Sequence, residues 1–68
     1  MDEYIELNTF LKLNQVAPTG GQAKNIIRSE QVKVNGKIET RNKRKITDGD
    51  IVEFEGKRFV VKLDDYRR

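Results

Sequence analysis

The chain has 68 residues, 37% of them charged and 35% hydrophobic, with a net charge of +3; that suffices for one small domain with a thin core. It contains neither cysteine nor histidine, which excludes a disulfide staple, a thiolate zinc site and a cysteine nucleophile, and removes the commonest general base and transition-metal ligand. No apolar run approaches the ~20 residues needed to cross a bilayer, and the start, Met1-Asp2-Glu3, lacks the basic head of a secretory signal, so a cytoplasmic domain with no membrane contact is expected.

In chain order, residues 4–7 read as a short strand or as the lead-in to a helix. Asn8 is the expected N-cap of the first helix, with Phe10, Leu11 and Leu13 on its apolar side. That helix must stop before Pro18, whose ring disfavours helical geometry at Ala17. A second helix is predicted to start at Thr19, because Thr19-Gly20-Gly21-Gln22 has the spacing of a capping box. Ala23, Ile26 and Ile27 then form one apolar stripe. Lys24 and Arg28 lie on other faces, one turn apart. Like charges at that spacing destabilise a helix slightly, which points to an anion opposite them, although solvent alone would serve.

After Gln31 the hydrophobic period changes from helical to alternating. Val32 and Val34 flank Lys33, and Asn35-Gly36 is a strong hairpin turn. A three-residue loop is expected there, pairing Val34 with Ile38, Lys33 with Glu39, and Val32 with Thr40, because it keeps Ile38 on the apolar face and matches opposite charges. A turn at Thr47-Asp48-Gly49-Asp50 introduces a second hairpin. In it Val52 and Phe54 alternate on one strand, Gly56 turns the chain, and Phe59, Val61 and Leu63 alternate on the return. Residues 64–68 show no packing pattern and should fray. Two helices followed by a run of strands indicate an α+β fold: the helices packed on a small antiparallel sheet of three to five short strands. Its expected core is Ile26, Ile27, Val34, Ile38, Val52, Phe54 and Phe59.

Charge is unevenly spread. Residues 1–40 hold five bases and five acids, whereas residues 41–68 hold nine bases and six acids. Four of those nine bases fall in the pentapeptide Arg41-Asn42-Lys43-Arg44-Lys45. Clustering of this kind, more than a net charge of +3, is the signature of a polyanion-binding surface. Its plain alternative is a solvated loop.

The order of elements, together with Val32-Lys33-Val34-Asn35-Gly36-Lys37 and Gly49-Asp50-Ile51-Val52, resembles the S4 RNA-binding domain. Gly20-Gly21-x-Ala23-Lys24 and Glu39-Thr40-Arg41 with the bases that follow look most like its small stand-alone bacterial members. The resemblance covers about residues 5–63 and implies one S4-like domain across residues 1–68. It also implies an RNA-facing surface built from Lys24 and Arg28 on the second helix, Lys33 and Lys37 on the hairpin, and Arg41, Lys43, Arg44 and Lys45 on the loop. Gly20 and Gly21 would let backbone N–H groups at the helix start approach a phosphate, or else serve a tight turn between the helices. Two positions depart from the family pattern. Thr19-Gly20 stands where many members carry Ser-Arg, and Gln31 replaces a glycine and would have to accept a left-handed backbone.

Stacking on single-stranded bases calls for exposed aromatics. Phe10, Phe54 and Phe59 fit apolar stripes, and neither Tyr4 nor Tyr66 falls in the basic cluster, so recognition by shape and phosphate geometry is expected. Catalysis is not. The carboxylate pairs Asp48/Asp50 and Asp64/Asp65 fall in a turn and in the tail, and Asp50 suits a turn acceptor. Ser29, the single serine, has no histidine to activate it. No P-loop, metal set or cofactor motif is present. The sequence therefore predicts a non-catalytic, monomeric binder of ribosomal or transfer RNA, or of ribosomal particles. The rival is a protein-interaction module docking an acidic partner protein.

Overall fold

A computed structural model describes residues 3–66. In chain order the elements are strand β1 (Ile5–Glu6), helix α1 (Leu7–Leu13), helix α2 (Gly20–Arg28), strands β2 (Val32–Val34), β3 (Lys37–Ile38), β4 (Lys45–Ile46), β5 (Ile51–Phe54) and β6 (Lys57–Val60), and a 3-10 helix (Leu63–Tyr66). The class is α+β, as expected, with every strand pair antiparallel. The sheet β3-β2-β5-β6 has four strands, within the expected three to five, and among the described residues β1 and β4 add a separate two-stranded ribbon that the sequence did not announce.

The core joins both layers. Leu7, Phe10 and Leu11 from α1, Ala23 and Ile27 from α2, Val32, Val34 and Val52 from the sheet, and Ile46 from the ribbon are all buried together with Ala17, Val61 and Leu63. Ile26, Phe54 and Phe59 pack half-buried against this cluster. The Phe59 ring meets Phe10 edge-on, with centroids 6.3 Å apart at 86°, a preferred aromatic geometry.

The two helix starts are capped differently. Thr19 is the N-cap of α2, and its hydroxyl accepts the Gln22 N–H at 3.1 Å. For α1 the expectation of an Asn8 cap is corrected. Glu6 occupies the N-cap position without a side-chain bond, and the side-chain oxygen of Asn8 accepts from the Thr9 N–H inside the helix. The N–H groups of the first turn instead reach the carbonyls of a distant loop: Leu7 donates to Arg44 at 2.8 Å and Asn8 to Asn42 at 3.1 Å. With those donors satisfied, no side-chain cap is required.

The first hairpin also departs from expectation. Lys33 pairs with Ile38 and Val34 with Lys37, so the loop has two residues. Asn35 at φ 54° and Gly36 at φ 85° both adopt the left-handed region, the type I′ turn that matches strand twist. The Asn35 side chain reinforces this turn by accepting from the Ile51 N–H at 2.9 Å and donating to Asp50 at 3.1 Å. The register puts Ile38 on the outer face, 53% exposed, so it leaves the predicted core. The expected Val32–Thr40 and Lys33–Glu39 pairings do not form. The Val32 carbonyl accepts from the Glu39 N–H, and Lys33 has Glu53 as its partner on β5.

Two smaller corrections concern backbone and tail. Glu30 at φ 65°, not Gln31, takes the left-handed position after α2, because the helix ends one residue earlier with Ser29 as its C-cap. Residues 64–66 continue the 3-10 helix that starts at Leu63, whose N–H donates to the Asp48 carboxylate. The rest of the expected frayed tail lies outside the described residues. Asp50 is a turn acceptor, as expected, taking the Thr47 N–H at 2.9 Å.

Candidate nucleic-acid interface

The basic pentapeptide is held on three sides. Its carbonyls cap α1, as described above. Its C-terminal end is strand β4, which pairs with β1. Its N-terminal side is gripped by Glu39, whose residue is only 7% exposed. One Glu39 oxygen accepts from the Arg41 backbone N–H at 2.9 Å and from Arg41 Nε at 3.0 Å; the other accepts from Arg44 Nη1 at 2.7 Å and Arg41 Nη2 at 3.3 Å. Burial alone would raise the Glu39 pKa. The bonds from Arg41, chiefly its side chain, with help from Arg44, win and hold it down to about 2. The same interaction raises the pKa of Arg41. Two arginines are thereby drawn onto one buried anion.

The result is an open cleft of about 640 Å³ whose described lining is Arg41, Lys43, Arg44 and Lys45. Its cations differ in what they can still do. The Arg41 side chain is 74% exposed despite its ion pair, whereas the Arg44 side chain is 30% exposed. Lys43 and Lys45 are exposed. Such a surface suits an extended polyanion: lysines supply point charges and an oriented guanidinium can fork onto a phosphate.

The other predicted residues divide. Lys24 and Arg28 are exposed on α2, one turn apart, and α2 packs through Ala23 and Ile27 into the core that α1 also forms. Lys33 and Lys37 belong to opposite faces of their hairpin. Lys37 lies opposite Val34 on the side facing the core, while Lys33 stands on the outer face between Ile38 and Glu53. Gly20 and Gly21 sit in the first turn of α2 without positive φ. A Cβ at either would meet only Lys12 or Thr19 side-chain atoms at 3.9 Å, so neither a tight turn nor packing demands glycine there.

Two site residues escaped sequence reasoning. Glu39 reads as a strand residue, but an acid placed two and five positions before arginines is a local signal for its clamp. Tyr4, expected to lie away from the basic cluster, is next to it: Lys45 Nζ sits 4.8 Å from the Tyr4 ring centroid. That approach depends on β1 pairing with β4, about forty residues on in the chain, which no local pattern announces. The Tyr66 side chain lies outside the described residues.

A family model described as S4 domain matches residues 1–62. YbcJ of Escherichia coli (strain K12) is 45% identical over 53 residues, 78% of this chain and 76% of that protein. A protein of Bacillus subtilis (strain 168) named "Probable ribosome maturation protein RlbA" is 44% identical over 54 residues, covering 79% and 76%. The solution structure of YbcJ superposes with a TM-score of 0.65 at 40% identity over 88% of this chain and 76% of that one, and is described as having an αL motif involved in RNA binding. A crystal structure of a pseudouridylate synthase matches with a TM-score of 0.69 at 33% identity over 75% of this chain. This chain spans only 22% of that enzyme's length.

Proposed function

The chain belongs to the S4 domain family, and from that premise we propose that it binds structured RNA through a basic face formed by loop 41–45 and helix α2, without catalysing a reaction. The observation that carries this reading is the cleft in which Arg41, Lys43, Arg44 and Lys45 converge on a loop anchored at three points. Anchoring matters because each side chain ordered in advance costs less entropy on binding. Ribosomal RNA is the first target to try, since one relative is named for ribosome maturation, and ribosomal particles are the matching assembly. Binding without catalysis is supported by the relatives matched over three quarters of their length, whereas the pseudouridylate synthase carries the matching region as a minor part of its chain.

The test is binding of a ribosomal RNA fragment at several salt concentrations by the parent protein, Lys43→Glu, Arg28→Glu and Lys62→Glu. Each phosphate deprived of its cation should reduce the slope of log affinity against log salt by about 0.7–0.9. Lys43→Glu and Arg28→Glu should show that reduction across many sequences, while Lys62→Glu, which follows β6 and is exposed outside the cleft, should not. Equal effects at all three positions would mean a diffuse cationic surface. Retention of one acidic protein after nuclease treatment, with no RNA affinity, would favour a protein-docking module.

A further inference from the structure

The ribbon β1–β4 places an aromatic ring at the edge of the basic cleft. Ile5 pairs with Ile46 and Glu6 with Lys45. Alternation along each strand turns Ile46, fully buried, and Ile5, half-buried, toward the core. Tyr4, Glu6 and Lys45 therefore share the outer side. There the Lys45 ammonium lies over the Tyr4 ring, 4.8 Å from its centroid, and Tyr4 remains 45% exposed. Lys45 also lines the cleft with Arg41, Lys43 and Arg44, so a single lysine joins the aromatic ring to the phosphate-binding surface.

We propose that Tyr4 is a stacking platform for an unpaired nucleobase of the RNA whose phosphates occupy the cleft. The proposal rests on the RNA-binding reading above and adds a property of the target: a helix interrupted by an extruded or bulged nucleotide rather than a continuous duplex. The chemistry follows from the ring's setting. A tyrosine fixed in a core offers no face to a ligand, but this ring is exposed. The cation over it restrains its rotamers before binding, which lowers the entropy cost of stacking. Every base presents a π-face, so a platform of this kind tolerates sequence and selects for an unpaired base. A negatively charged backbone entering the cleft would bring the adjacent base to the same edge.

The experiment compares a short RNA duplex with the same duplex carrying one bulged nucleotide, each titrated with the parent protein, Tyr4→Phe and Tyr4→Ala. Base–aromatic stacking of the usual strength predicts about a five-fold or greater preference for the bulged RNA. Tyr4→Phe should keep that preference. Tyr4→Ala should abolish it. The chain has no tryptophan and two tyrosines, so in a Tyr66→Phe background the emission of Tyr4 should be quenched by the bulged RNA and not by the duplex. Equal binding of both RNAs by the parent protein, or a preference that survives Tyr4→Ala, overturns the stacking role and leaves RNA binding intact. Failure to bind either RNA overturns both.

Discussion

Arg44 donates from Nη1 to the Glu39 carboxylate at 2.7 Å, although the two residues stand five positions apart and the acid is almost sealed from water. A buried carboxylate without such partners would be strongly destabilising. Here it folds the basic loop back on itself, with Arg41, Lys43 and Lys45 exposed to solvent. An acid thus organises a cationic site.

That arrangement makes stability depend on acid pH. The Glu39 carboxyl titrates at about 2 in the fold against 4.5 ordinarily. A depressed acid stabilises the fold fully above its unfolded pKa, and the contribution disappears as pH falls through the folded value. Glu39→Gln should therefore lower stability near neutral pH by about 1–3 kcal/mol, because water around the exposed Arg41 side chain screens the pair. The gap between variant and parent should narrow below about pH 4.5 and close near pH 2. Urea unfolding across that range measures it, and a gap that stays constant with pH would assign Glu39 a packing role instead.

Lys43 and Arg44 are neighbours in sequence with different duties. Lys43→Ala should weaken RNA binding and flatten its salt dependence by about 0.7–0.9 of slope, with no change in melting temperature. Arg44→Ala removes one of the donors to a buried carboxylate, so it should also lower stability, by about 1–3 kcal/mol. Melting curves run beside the titrations separate the two. A melting temperature unaffected by Arg44→Ala would show that Arg41 alone satisfies Glu39.

How much of this is legible in the sequence depends on the range of the interaction concerned. Thr19 and Gln22, three residues apart, announce the start of α2, and Asn35-Gly36 announces a turn. The register at that turn is harder, because burial of Ile38 and turn geometry favour different pairings. Two positive φ values, matched to strand twist, outweigh one exposed isoleucine. The four bases of the cleft are visible as a cluster. The α1 cap is not, because its acceptors are carbonyls of residues 42 and 44 and every residue type carries a carbonyl. Ile46 and Tyr4 escape for a similar reason, since the ribbon that positions them is two residues long on each side, too short to show a period.

Glu30 carries a cost that can be removed. It holds φ 65° directly after the α2 C-cap, a position where glycine avoids the Cβ clash of about 1–2 kcal/mol. It also places a negative charge at the negative end of a helix dipole. Glu30→Gly should raise stability by about 0.5–1 kcal/mol once the greater freedom of the unfolded chain is deducted. A higher urea midpoint with an unchanged m-value is the expected result. A fall in midpoint would show that the Glu30 side chain contributes more than its strain removes.

The register and the core can be tested together through two isoleucines. Ile27 is fully buried in the cluster shared by α1, α2 and the sheet, and Ile27→Ala should cost about 2–5 kcal/mol through forfeited transfer energy and the cavity left behind. In a domain with so small a core, a change of that size approaches the whole stability. Ile38 stands outward opposite Lys33 and is 53% exposed, so Ile38→Ala should change stability by at most about 0.5 kcal/mol. The bulged alternative, with Ile38 facing inward beside Val34, predicts comparable destabilisation at both positions. Urea unfolding of the two variants decides between them, because a two-residue Asn35-Gly36 loop cannot place Ile38 and Val34 on the same face. If Ile38→Ala destabilises as strongly as Ile27→Ala, the type I′ turn is wrong.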